Sequence, residues 1–179
     1  MRVRAWGAGV VCLGVIAGCA SPSLDPVPTV AGGDFLCDGV PREGVELILS
    51  GHAESAEPTG TWEGETFFCW IDGKEVGVDV RARPTIFATW GGGTDAGVLE
   101  RAGEWMGATP LDAEDVAGAG YRHPDAALWV CNGRLVRVDL SGRLVEGRDA
   151  SMDAANLLVS MLPWACGDEE APPATVEDE

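Results

Sequence analysis

Thr66-Phe67-Phe68-Cys69-Trp70-Ile71-Asp72-Gly73, continued by the run from Lys74 to Ala82, is the stretch that decides the fold. Two β-prone segments flank Asp-Gly, the pair that suits a two-residue type I′ turn because both central positions need positive φ. Such a turn sets Ile71 opposite Lys74, Cys69 opposite Val76 and Phe67 opposite Val78. Period-2 alternation then puts Phe67, Cys69, Val76, Val78 and Val80 on one face, which becomes the core face. Phe68 and Trp70 point the other way, with Glu75 and Gly77 as expected cross-strand companions.

The same logic repeats downstream. The run 127–131 precedes Asn132-Gly133 and the run 134–140 follows it, predicting a second hairpin with Trp129 opposite Val136 and Ala127 opposite Val138. Cys131 shares that face. Leu128, Val130, Leu135, Arg137 and Asp139 belong to the other. Residues 86–89 and 118–122 read as two further short strands.

Helical spacing supplies the remaining elements. Over 41–50, Val45, Ile48 and Leu49 form an apolar stripe between Pro41, suited to a first turn, and Gly51, suited to the position past the end. Val98, Leu99, Ala102, Trp105 and Met106 recur with helical period over 95–106, and so do Met152, Ala155, Leu158, Val159 and Leu162 over 151–162. Ser151 fits an N-cap and Pro163 a stop. The expected fold is α+β: an antiparallel sheet of two hairpins packed against about three helices.

The N-terminus carries an address. Arg2 and Arg4 precede ten apolar residues, 8–17, too short for a bilayer span of about 20 residues but suited to a signal peptide. Ile16-Ala17-Gly18-Cys19 follows and resembles the lipobox of bacterial lipoproteins, which implies lipid attachment at Cys19 and removal of residues 1–18. Residues 19–33, with Pro22, Pro26 and Pro28, read as an acylated tether, 34–167 as one domain, and 168–179 as a disordered acidic tail. Without Arg2 and Arg4 the chain keeps ten cationic side chains against 29 acidic ones. That balance argues against a nucleic-acid partner and for a domain standing off anionic lipid.

Beyond Cys12 in the signal and Cys19, four cysteines remain: Cys37, Cys69, Cys131 and Cys166. An even count outside the cytoplasm implies disulfides, and none has the Cys-x-x-Cys spacing of a redox or zinc motif. Three connectivities are open. Pairing sequence neighbours, Cys37–Cys69 and Cys131–Cys166, staples a helix end to a strand twice, whereas the crossed alternatives would bridge the two halves of the domain twice.

Lipobox, Pro-rich tether, a cysteine before an early helix, Cys69-Trp70 entering a hairpin, the Val116-Ala-Gly-Ala-Gly120 stretch and a Cys-bearing second strand pair form one pattern. It looks like the small two-disulfide lipoproteins of unknown function in actinobacterial envelopes, some with α/β sandwiches similar to PsbP-type or sensor-type domains. The resemblance implies extracytoplasmic placement and no established catalysis.

Catalytic and metal signatures give no site. His52 and His123 read as exposed loop histidines without a Gly-x-Ser-x-Gly elbow or a His-Glu-x-x-His pair. Asp112, Glu114 and Asp115 lack the calcium-loop pattern and read as a solvated acidic stretch. Gly91-Gly92-Gly93-Thr94 is followed by no Gly-Lys-Ser/Thr and reads as a flexible loop. The sequence therefore points to a non-enzymatic envelope module without cofactor or metal, held to the membrane by lipid and binding a protein, glycan or lipid; the alternative is a carrier enclosing an apolar ligand. Its one specific surface is the Phe68/Trp70 side of the sheet, which the 95–106 helix is expected to cover; if left partly open, that side would be a groove rimmed by Trp62 and Trp90.

Overall fold

A computed structural model describes residues 24–49, 57–63, 65–73, 75–87, 93–167 and 169–175, with the backbone alone at 57, 61 and 62. The lipobox with Cys19, His52 and Trp90 lie outside the described residues, as does the side chain of Trp62.

The chain folds as α+β. A short ribbon of β1 (Phe35–Cys37) and β2 (Val40–Pro41) leads into helix α1 (Arg42–Leu49). Strands β3 (Glu57–Glu63), β4 (Thr66–Asp72) and β5 (Val76–Pro84) follow, then a 3₁₀ turn at Thr85–Phe87 and helix α2 (Asp95–Gly103). Strands β6 (Thr109–Leu111), β7 (Ala119–His123), β8 (Ala126–Cys131) and β9 (Arg134–Gly142) precede helix α3 (Ala150–Ala165). Seven of these strands form one antiparallel sheet in the order β3-β4-β5-β9-β8-β7-β6.

The second hairpin follows its turn chemistry. Asn132 and Gly133 both have positive φ, at 48° and 77°, and Trp129 faces Val136 while Ala127 faces Val138. The first hairpin departs from it. Asp72 pairs with Gly77, so a loop of 73–76 replaces the two-residue turn, and the Gly73 N–H donates to the Val76 carbonyl at 2.9 Å. Cys69 therefore faces Val80 rather than Val76, and Phe67 faces Ala82 rather than Val78. The slip is four residues. An even slip keeps every side chain on its predicted face, so Phe67, Cys69, Val78 and Val80 are still buried together.

Helices α1 and α3 cover that face. Val45, Ile48 and Leu49 of α1 and Leu157, Leu158 and Leu162 of α3 pack onto Ile71, Val78, Val80 and Val138 in one cluster. The α3 N-cap is Asp149 rather than Ser151, its Oδ1 accepting from the Met152 N–H at 3.2 Å. Pro163 does not stop α3 but lies within its final turn, at the loss of one i→i−4 hydrogen bond. The buried C-terminal end of α3 is capped from the sheet: Arg134 donates to the Ala165 carbonyl at 2.9 Å and Asn132 to that of Cys166 at 3.2 Å.

The disulfides are Cys37–Cys69 and Cys131–Cys166, with Cα separations of 6.3 and 5.7 Å. Sequence separations of 32 and 35 residues correspond to roughly 3.5–4 kcal/mol each in chain-entropy terms. The first bridge explains Gly60: a Cβ there would lie 2.8 Å from the Cys37 sulfur.

Several expectations need correction. Residues 85–87 form a 3₁₀ turn rather than a strand, and α2 ends at Gly103, leaving Trp105 and Met106 beyond it with 46% and 94% exposure. Part of the tether belongs to the domain. Val27 is buried in the main core against α1 and α3, and the Asp25 carbonyl accepts from Arg148 at 3.3 Å. Part of the acidic tail is also held: Gly39 N–H donates to Pro172 O at 2.7 Å, and Thr175 N–H to Phe35 O at 2.8 Å. Among the described residues, no helix is long and apolar enough to cross a membrane.

Candidate functional site

The outer face of the sheet divides into a covered and an open half. Thr94 caps α2, its hydroxyl accepting from the Gly97 N–H at 3.2 Å. Asp95 docks the helix by accepting from the Thr85 hydroxyl at 2.9 Å and the Gly133 N–H at 3.0 Å. Thus placed, α2 covers the β7–β8 end with Val98 and Ala102 against Leu128, Val130 and Leu135. It does not reach Phe68 or Trp70. Phe68 is 42% exposed and Trp70 half-buried.

The open half forms a groove of about 370 Å³ over β4, β5 and β9. Trp70 walls one side. Its indole lies across Gly77, where a Cβ would come within 3.3 Å of the ring, so the missing side chain seats the tryptophan. Ser141, opposite Gly77, and Leu135 also line the groove.

Its floor is a square of charges. Arg81 pairs with Arg137 across β5–β9, and one step along the strands Asp79 pairs with Asp139. Like charges directly opposite one another destabilise a sheet. Here each is answered within its own strand. Arg81 Nε donates to both Asp79 oxygens at 2.9 Å, and Arg137 forms an ion pair with Asp139. Asp79 is 5% exposed, and its hydrogen bond, followed by its charge, raises the Arg81 pKa above its ordinary value against the opposing cost of burial.

Aromatic rings fix both guanidinium planes. Arg81 lies 5.6 Å from the Phe68 ring centroid and Arg137 lies 5.2 Å from that of Trp105. Arg83, next on the same face of β5, lines the groove and has no acidic partner among the described residues.

His123 ends this row and corrects an expectation. It is no exposed loop residue but a buried member of β7 at 4% exposure, with the Trp105 ring tilted against it at a centroid distance of 5.0 Å. Among the described residues neither ring nitrogen has a hydrogen-bond partner, and the Arg137 Nε is likewise buried without one. Burial lowers the His123 pKa first and the Arg137 charge lowers it further, against a smaller upward pull from Asp125 and Asp139. Asp112, Glu114 and Asp115 are exposed, and among the described residues no cluster of His, Cys, Asp and Glu fits a metal ion.

Sequence periodicity thus places Phe68, Trp70, Arg137 and Asp139 on one face, which the structure brings together. It misses Asp79, Arg81 and Arg83 as their neighbours. Their alternation with Val80 and Ala82 was the available signal, but the pairing of β5 with β9 spans some sixty residues and has no local signature. No family model, curated protein or solved structure matches this chain.

Proposed function

We propose that this chain is an extracytoplasmic lipoprotein of the cell envelope, anchored at Cys19, whose domain acts as a binding module rather than a catalyst through the open half of its sheet. The observation that carries the reading is the division of the outer face. One end is sealed by α2, while the other leaves Phe68 and Trp70 beside an ordered square of Arg and Asp. Concave surfaces with aromatic walls and a few fixed polar groups are typical of binding sites. Both acidic groups of the floor are committed to guanidinium partners, which suits recognition better than proton transfer. A carrier of apolar ligands would need an apolar enclosure. The groove instead sets three arginines and two aspartates beside Trp70 and Leu135.

The anchor and the surface are tested separately. Cys19→Ser should abolish acylation and leave an unprocessed precursor, read by detergent partitioning and N-terminal mass spectrometry. Wild-type protein cleaved elsewhere, with unmodified Cys19, would refute the lipoprotein reading. Trp70→Ala should weaken retention of whatever the domain binds in native envelopes, and unchanged retention would move the binding surface off this face.

A further inference from the structure

We propose that the groove recognises a singly charged phosphodiester, carried on a sugar or polyol that lies on the side of the domain away from the anchoring membrane. The inference rests on the open half-face being the binding surface and adds the chemistry of its occupant.

The charge count gives the sign and size. The chain as a whole has a formal charge of −17, yet this patch gathers Arg81, Arg83 and Arg137 around only Asp79 and Asp139. Its surplus is one positive charge, complementary to a monoanion. Donor geometry then points to an oxyanion with several acceptor atoms. Arg81 spends Nε and Nη2 on Asp79 and Arg137 spends Nη2 on Asp139, leaving an Nη1 amino group on each without a partner among the described residues. These two residues are direct cross-strand partners, with Cα atoms about 4.5–5.5 Å apart. Arg83 is two residues along β5, about 7 Å away on the same face. Three guanidinium groups line one groove and offer more donors than the two oxygens of a carboxylate, whereas a phosphodiester adds two ester oxygens to its two charged ones. The ring contacts of Arg81 and Arg137 hold the planes ready. Trp70 and the Ser141 hydroxyl beside them offer an apolar face and a hydrogen bond to a polyol.

The position of the N-terminal segment selects the source. Val27 is packed against Gly44 of α1 and Leu157 of α3, in the helix layer. The groove is on the opposite side of the sheet. Only five residue steps separate Cys19 from Leu24, about 18 Å at full extension, so a lipid-anchored domain turns its helix layer toward the bilayer. Headgroups of that bilayer are then out of the groove's reach.

The test uses the full-length chain in dodecyl maltoside, whose headgroup is uncharged. Dimethyl phosphate and acetate are titrated at constant ionic strength while the arginine Nε–Hε resonances are followed by NMR. Dimethyl phosphate should shift the Arg81 and Arg137 signals saturably, acetate should bind at least about fivefold more weakly, and Arg83→Gln should weaken dimethyl phosphate about tenfold, as loss of a charged hydrogen bond would. Equal or tighter acetate binding, an Arg83→Gln variant of unchanged affinity, or shifts elsewhere would overturn the assignment. Sedimentation of the Cys19→Ser chain with equimolar phosphatidylcholine–phosphatidylglycerol vesicles, abolished by Arg83→Gln, would reassign the groove to lipid headgroups and overturn it too. If dimethyl phosphate fails while Phe68 and Trp70 remain protected in native envelopes, the phosphodiester is refuted and the binding face stands. If both fail, both readings fall.

Discussion

The two faces of the seven-stranded sheet alternate residue by residue along the same strands, yet they obey different rules. Across the inner face, Cys69, Val80, Val138 and Ala127 run as one apolar row. The neighbouring outer row is Trp70, Asp79, Asp139, Ala126 and His123. The inner row is held by burial under two helices and by the staples at Cys69 and Cys131. The outer row is held by ion pairs and ring contacts at its open end and by α2 at its covered end. Apolar burial tolerates many partners of suitable volume, whereas the outer charges are answered within their own strands and hold their side chains at fixed places along the groove. The difference marks the inner face as the source of stability and the outer face as the source of specificity.

The largest effect that would test this contrast comes from the inner face. Leu158 is fully buried, and Leu158→Ala should cost about 2–5 kcal/mol in urea unfolding. Arg83→Ala, on the open groove, should stay within about 0.5 kcal/mol. Comparable losses would erase the distinction between the faces.

Trp70 is the intermediate case. A core aromatic loses about 3–5 kcal/mol on truncation to alanine; half-buried Trp70, resting on Gly77, should lose less. A loss in the full core range would make Trp70 a packing residue.

The smallest effect is a pH dependence from the buried end of the outer row. Because burial and Arg137 lower the His123 pKa in the folded chain, the unfolded chain takes up the proton first as the medium is acidified. The stability contributed by neutral His123 is therefore fully present above the unfolded value of about 6.5. It is lost as pH falls from there through the lowered folded pKa. His123→Leu should flatten that part of the profile. An unchanged slope in the variant would show that other groups set it.

How far these faces could be foreseen depends on the range of the interactions that build them. Alternation within a strand is local, so the core face of both hairpins and the outward direction of Phe68 and Trp70 were legible. So was the Asn132-Gly133 turn, because both residues adopt the positive φ their types permit. The Asp72-Gly73 loop is longer than its dipeptide suggests, and only the even slip preserved the faces. Strands β3 and β6 escaped for a shared reason. Pro58 and Pro110 argue against a strand in local terms, yet a sheet edge accepts proline because one side of an edge strand has no ladder to serve. His123 was misread because His-Pro suggests a loop, while Trp105, eighteen positions earlier in the chain, buries it. The charge square needed β5 beside β9, a long-range pairing that no short motif announces.

The most direct test of the outer face as a binding surface is hydroxyl-radical footprinting of the full-length chain, purified and in its native envelope. Phe68 and Trp70 should react readily in the purified protein and much more slowly in the envelope. Met106, 94% exposed beyond the end of α2 and away from the helix layer, should react alike in both. Equal reactivity of Phe68 and Trp70 in the two settings would contradict the account.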